Sequence, residues 1–257
     1  MFETLGATMK LQRLLSLTRK AIDDYQLIEE NDKIAIGISG GKDSLTLLCA
    51  LAHLQKFYPI PFSICAITVD LGYPDFDTSN LSTFCNTLNV EYHVVKTDIA
   101  DIIATQNNKK SPCSLCAKLR KGALNQKAIE LNCNKVAYAH HKDDLIETMF
   151  LSLLYEGRFH SCSPKTHWDT TNLTLIRPLI YINEVDIIGF QNKTHLPISK
   201  NPCPIDGHTK RTMIRKLLKQ LNQQIPGCKE RMFHAILNGK FDDWPIPIAH
   251  PKHNMEQ

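Results

Sequence analysis

The stretch GISGGKDSLTLL, residues 37–48, decides how the rest of the chain is read. A β-branched run, KIAIGI (33–38), leads into paired glycines, and a leucine-rich run leaves them. This is the pattern of a strand that ends in a tight turn and continues as a helix. Backbone N–H groups converge at such a turn with the positive end of the helix dipole, which makes it a site for an anion. Gly40 and Gly41 permit positive φ and let a bulky anion approach the backbone. Ser39 and Ser44 add hydroxyls, and Lys42 adds a charge. Asp43 is an acceptor in a place built for anions, which suits a carboxylate that holds Mg²⁺ or a backbone donor. Two familiar phosphate loops do not match. Asp43 follows Gly41-Lys42 where the Walker loop needs Ser or Thr, and Gly37-x-Ser39-Gly40 does not supply a dinucleotide fingerprint.

Working outward, strands are expected at 33–38, 63–70, 90–96, 135–139 and 173–176, with helices at 44–56, 78–88, 118–131 and 143–155 between them. The alternation predicts an α/β fold, a parallel twisted sheet with helices on both faces. An amphipathic helix over 9–28 precedes it, and helices at 184–192, 210–221 and 227–237 follow. The expected organisation is an N-terminal helical segment (1–32), a nucleotide-binding domain (33–200), C-terminal helices (201–239) and a Pro/His-rich tail (240–257) that Trp244 pins to the body. The chain has 257 residues, is 43% hydrophobic and carries a net charge of +4. That is enough chain for a large core without covalent staples, and mild basicity is compatible with an anionic partner. No apolar run approaches the roughly 18 residues a membrane helix needs, and the first residues do not read as a secretion signal. A cytoplasmic protein with no membrane partner is expected, and its nine cysteines should be reduced.

Cys49, Cys65, Cys85 and Cys133 fall inside expected strands and helices and read as small buried hydrophobes. Cys113-Ser-Leu-Cys116 follows a polar loop and leads into a helix with Lys118, Arg120 and Lys121, whereas Cys203 stands alone between Pro202 and Pro204. A single C-x-x-C has several readings: half of a zinc site, a redox pair, a pair of surface thiols, or, with Cys203, three ligands of an iron–sulfur cluster. Three thiolates on a [4Fe–4S] cluster leave one iron open, and a helix N-terminus with nearby cations would lower the thiol pKa values.

Asp70 closes the second strand, at the sheet edge where ligands bind or where a carboxylate caps a turn. In His140-His141-Lys142-Asp143-Asp144, Asp144 is the candidate Mg²⁺ ligand, and Asp143 is expected to cap the following helix. Lys142 and Arg177 are candidate polyphosphate neutralisers. Lys109, Lys110, Lys118, Arg120 and Lys121 flank the C-x-x-C, and Lys210, Arg211, Arg215, Lys216 and Lys219 lie along one late helix. Both groups suit RNA phosphates, or a solvated helix face.

SGGKDS (39–44) resembles the SGGxDS signature of the PP-loop ATP pyrophosphatases, which grip the pyrophosphate of ATP and release PPi while adenylating a substrate. Taken together, SGGKDS, CSLC (113–116), HHKDDLIETMF (140–150), IRPL (176–179) and the late Pro-Cys resemble the tRNA-cytidine 2-sulfurtransferases from about residue 10 to about residue 237. The resemblance implies an ATP- and Mg²⁺-dependent enzyme that converts a cytidine of the tRNA anticodon loop to 2-thiocytidine. It also implies a [4Fe–4S] cluster on Cys113, Cys116 and Cys203, a sulfur donor of the cysteine desulfurase type, and a homodimer. At the third cysteine the chain departs from the family's Pro-Cys-x-x-Cys, with Asp206 in place of the second cysteine. Without a catalytic cluster, the alternatives are another PP-loop thiolase, an amide- or amidine-forming ligase, or a non-catalytic RNA-binding or redox protein.

Overall fold

The structure, a computed structural model, describes residues 10–74, 76–105, 112–199, 203 and 209–239. Trp244 and the tail, Lys109, Lys110, and the prolines beside Cys203 lie outside the described residues. A leading helix α1 (Leu11–Tyr25) is followed by β1 (Asp32–Gly37), α2 (Lys42–Leu54), β2 (Phe62–Asp70), α3 (Ser79–Thr87) and β3 (Glu91–Lys96). Next come α4 (Ile99–Thr105), α5 (Pro112–Glu130), β4 (Lys135–Ala137), α6 (Lys142–Glu156), β5 (Lys165–Trp168) and β6 (Leu173–Ile176). Three helices follow, α7 (Glu184–Thr194), α8 (Lys210–Gln224) and α9 (Cys228–Asn238).

The strands form one six-stranded sheet in the order β3-β2-β1-β4-β6-β5. Neighbouring strands pair in parallel except β5, which runs antiparallel to β6. Successive strand residues face opposite sides, and the buried residues sort accordingly. Ile34, Ile36, Ile64 and Ala66 join the core under α1, α2, α6 and the C-terminal helices. Ala35, Cys65, Ile67 and Val136 pack with Leu124 and Ala128 of α5 on the other side. The expected helix cover on both faces is therefore present, and one buried cluster runs from Leu14 to Ile236. The chain order reverses between β1 and β4, so a crevice opens above their carboxyl ends.

Two elements were not expected. β5 is four residues of half-buried edge strand, KTHW, too short and too polar to show a period-two signal. α4 is a seven-residue helix with one buried side chain, Ile99. α5 also begins six residues earlier than the periodicity suggests, because Pro112 at its first position supplies a helical φ and needs no N–H partner. The Cys113-x-x-Cys116 pair therefore lies on a helix rather than before one.

At the opposite end of β1 and β4, the Lys135 ammonium is buried against Asp32 at 2.7 Å and donates to Leu27 O at 3.1 Å. Asp32 also accepts from Asn134 Nδ2 at 2.6 Å and Glu29 N at 2.6 Å. This knot fixes the α1–β1 connection to the sheet. Removing one member of a buried, hydrogen-bonded ion pair leaves the other charge unpaired. Asp32→Ala should cost about 3–5 kcal/mol in urea unfolding, and the double change Asp32→Leu, Lys135→Met should recover most of that loss.

Candidate active site

The loop between β1 and α2 is braced by its own serines. Ser44 Oγ donates to Gly41 O at 3.0 Å, accepts from Ser39 N at 3.2 Å and lies 3.3 Å from Ser39 Oγ. Gly40 has φ +79°, and a Cβ there would lie 2.9 Å from Ser199 Cβ. The close approach is fixed by Ser199 N donating to Gly40 O at 3.1 Å. Gly41 caps α2 without a side-chain acceptor, which leaves the first-turn N–H groups to a ligand.

Around the start of α2 the ionisable side chains close into a ring. Lys42 pairs with Glu184 at 3.0 Å and with Asp43 at 3.1 Å. Glu184 lies 3.9 Å from Arg215. Arg215 Nε donates to the buried Glu147 at 2.8 Å, and Glu147 accepts from Arg211 at 3.2 Å. Arg211 reaches Asp144 at 3.3 Å, and the His141 ring closes the circle 3.4 Å from Asp144 and 3.7 Å from Asp43. Burial opposes the charge on Lys42, but Asp43 and Glu184 outweigh it and hold the ammonium above its ordinary pKa. Arg215 is likewise held above its usual value, chiefly by its hydrogen bonds to Glu147. Asp43 Oδ1 is buried, 3.1 Å from the Lys42 ammonium and 3.7 Å from the His141 ring, without a well-formed hydrogen bond. A buried carboxylate oxygen that lacks a hydrogen-bond donor and faces Asp144 across His141 is chemistry that suits a Mg²⁺ ion.

A cleft of about 530 Å³ lies over the carboxyl ends of β1, β2 and β4, lined by Gly37–Ser39, Ile67, Val69, Tyr138–His140 and the α5 residues Arg120, Lys121 and Leu124. Arg177 Nε donates to His140 Nδ1 at 3.0 Å. A guanidinium can only donate, so the neutral imidazole carries its proton on Nε2. Burial first, then the Arg177 charge, pushes His140 down to about 4. An unfolded histidine titrates near 6.5, so between those values the unfolded chain binds a proton that the folded one refuses. The contribution is complete above about pH 6.5 and is lost as pH falls towards 4, by at most about 3 kcal/mol. Urea midpoints should drop across that window, and His140→Gln should flatten the drop.

A second chamber of about 420 Å³ adjoins the first, lined by Gly41, Lys42, Leu71, Tyr73, Phe76 and Ser199. The two share Ser39, Asp43, Val69 and Arg120. Tyr73 and Cys203 are joined by a side-chain hydrogen bond, and Tyr73 also feels the charge of Cys116. Cys116 in turn feels Arg120, Cys203 and Cys113, so the three cysteines meet at this end of the molecule. The expected lowering of the thiol pKa is corrected for Cys116. Burial raises it, and the opposing pull of Arg120 is not enough, because Cys203 and Cys113 repel the thiolate. A metal at Cys116 must therefore displace a proton. Among the described residues no group of three or more His, Cys, Asp or Glu is closed up as a metal cage. The donor set itself, two thiols on one helical turn facing a third from another segment, fits an iron–sulfur cluster in kind.

Other expected site residues are placed elsewhere. Lys142 donates to Glu230 at 2.9 Å and lies 5.0 Å from the Phe233 ring, away from the loop. Arg177 backs His140 and donates to Ser163 O. The Asp70 carboxylate accepts from Gly72 N at 2.9 Å, which is the turn-capping role. Asp143 is not the helix cap. His141 occupies that position, and Asp143 accepts from Glu184 N at 2.7 Å and from Lys229. Asp144 does face the loop, and it also accepts from His141 N at 3.1 Å. Arg120 and Lys121, read as suiting RNA phosphates or a solvated helix face, line the larger cleft instead, with Lys121 3.7 Å from the Trp168 ring. Cys49, Cys65, Cys85 and Cys133 are buried as expected. Sequence reasoning missed His141, Glu147, Glu184, Tyr73 and Ser199. Glu147 alone carried a signal, at i+3 from Asp144 on one helix face.

The strand–turn–helix at the loop and the sheet order define a PP-loop domain, and the family model described as PP-loop domain matches residues 9–221. A tRNA-cytidine(32) 2-sulfurtransferase of Pelobacter propionicus is 36% identical over 249 residues, 96% of this chain and 89% of that protein. The Aliivibrio salmonicida protein of the same name is 40% identical over 232 residues, 89% of this chain and 76% of that one. The chain belongs to the tRNA-cytidine(32) 2-sulfurtransferase family. Among solved structures it is similar to the U34-tRNA thiolase NcsA from Methanococcus maripaludis, determined with its [4Fe-4S] cluster. That match has a TM-score of 0.69 and 26% identity, and it covers 88% of this chain and 78% of that one.

Proposed function

We propose that the protein uses ATP to replace the C2 oxygen of a cytidine in the tRNA anticodon loop with sulfur, releasing AMP and PPi. The observation that carries this reading is a chamber bordered on one side by the pyrophosphate loop at Gly41 and Lys42 and on another by Tyr73, which is hydrogen-bonded to Cys203, and Arg120, which acts on Cys116. The pyrophosphate of ATP lies on Ser39, Gly40, Gly41, Lys42 and Ser44, with the α2 N–H groups and the Lys42 ammonium offsetting its charge. Asp43 and Asp144 would hold Mg²⁺. The cytosine O2 attacks the α-phosphorus, the bond to the bridging oxygen breaks, and PPi leaves. That step is needed because a carbonyl oxygen is a very poor leaving group, whereas AMP is a good one. A cysteine-desulfurase-type donor system supplies sulfur as a persulfide, a thiol reductant of that system takes it to the sulfide level with two electrons, and the sulfide then adds to C2. The C2–O bond breaks, and AMP departs with the original oxygen, so the displacement at C2 is itself redox-neutral.

Cys113, Cys116 and Cys203 would hold a [4Fe–4S] cluster, which when bound supplies an iron site for sulfur. The chain's own part is to orient the base and shield the adenylated intermediate from water, while Arg120 sits where charge develops on the departing phosphate. A homodimer working on tRNA in the cytoplasm completes the reading. Among the described residues no helix is long and apolar enough to cross a membrane. The test is pyrophosphate release with ATP, Mg²⁺ and an unmodified tRNA transcript. Release should require the tRNA and should vanish when the target cytidine is replaced by uridine. Release without RNA contradicts the reading.

A further inference from the structure

We propose that the chamber of about 420 Å³ is the acceptor-base pocket, in which the flipped cytosine lies against Tyr73 and Phe76. The inference rests on the cytidine-thiolating reading above and says where the base goes. Both chemical steps act on one end of the base. O2 must reach the α-phosphate on the loop, and C2 must then reach sulfur arriving from the thiol side. The base therefore belongs where both borders meet. The chamber has that property. Gly41 and Lys42, at the start of α2, form one wall, and Tyr73, hydrogen-bonded to Cys203 and sensing Cys116, forms another.

The larger cleft is the poorer choice for the base. It lies over the β1/β4 reversal, where open α/β sheets bind nucleotides, and it is walled by Ile67, Tyr138 and Leu124. With the adenosine there and the pyrophosphate on the loop, the α-phosphate falls near the residues that the two spaces share, Ser39, Asp43 and Arg120. The chamber's own lining also suits a pyrimidine. Val69 and Leu71 contribute apolar side chains, Tyr73 and Phe76 contribute rings, and Ser199 adds a hydroxyl. Unpaired anticodon-loop bases can be splayed out and stacked on such rings.

The test uses the full-length protein with a tRNA transcript carrying 5-iodocytidine at the acceptor position. Irradiation should cross-link Tyr73 or Phe76, as mapped by peptide mass spectrometry. A cross-link to Tyr138 or His140 would put the base in the larger cleft and overturn the assignment. In parallel, Phe76→Ala should raise the tRNA KM of pyrophosphate release about 10-fold while leaving the ATP KM unchanged, and Phe76→Tyr should restore it. Wild-type tRNA-dependent release that Phe76→Ala leaves untouched overturns the pocket alone. Failure of the wild-type protein to show any tRNA-dependent release overturns the proposed function, and the pocket with it.

Discussion

Cys203→Ser should lower tRNA thiolation by about 100-fold or more while tRNA-dependent pyrophosphate release survives at close to the wild-type rate. The two half-reactions depend on different sides of the chamber. In the proposed mechanism adenylation draws on the β1–α2 loop, Asp43 and the α2 dipole. In the same mechanism sulfur delivery draws on the thiols, and serine offers a hydroxyl that stays protonated at neutral pH and is a poor ligand for iron. Cys203 is half-buried on the approach to α8, so the substitution leaves the shared core intact. Its hydrogen bond with Tyr73 can be remade by a serine hydroxyl. The check is a pair of assays on one preparation, pyrophosphate release and 2-thiocytidine content by mass spectrometry of digested tRNA. Equal loss of both activities would mean that Cys203 supports the loop rather than the sulfur.

Gly40→Ala should produce the complementary result, loss of both half-reactions by about 100-fold. At φ +79° an alanine pays for the left-handed conformation, and its Cβ meets Ser199 Cβ at 2.9 Å and Oγ at 3.2 Å. The loop must move by a fraction of an ångström to relieve that contact, and displacement of a phosphate cradle is costly because its N–H groups are aimed at fixed oxygens. Adding Ser199→Gly to Gly40→Ala removes the steric part and leaves the conformational part. The double variant should therefore recover some activity, but not all of it. The readout is kcat/KM for ATP in tRNA-dependent pyrophosphate release, with circular dichroism to confirm that the fold persists.

The parts of this molecule written in local pattern were readable from sequence. The strand before the loop reads as a near-continuous apolar run because both of its faces are buried, and Gly40 announced itself because a left-handed turn needs glycine. The three cysteines could be grouped only through the family resemblance, since spacing alone left zinc, redox and surface readings open. What the sequence could not reveal was long-range direction. Lys142 looks like a phosphate ligand from its neighbours, yet α6 turns it towards Glu230, some 88 positions further along. Arg120 and Lys121 looked like a basic face for RNA or for solvent, but α5 brings them to the wall of the cleft. The Lys42–Glu184–Arg215–Glu147–Arg211–Asp144 circuit joins α2, α6, α7 and α8, and no single window contains two of its helices. Cys116 shows the same limit in electrostatics. Helix position and nearby cations argue for a lowered pKa, but burial and two neighbouring thiols reverse it.

The most direct test of the central claim is a single stoichiometry. The protein, purified without oxygen and reconstituted with iron and sulfide, is given unmodified tRNA, ATP, Mg²⁺ and a sulfide source, and AMP, PPi and 2-thiocytidine are measured together. The account predicts equimolar formation of all three, with no 2-thiocytidine when ATP is replaced by an analogue that cannot release pyrophosphate. Thiolation without AMP formation, or AMP formation coupled to a nitrogen rather than a sulfur acceptor, would contradict it.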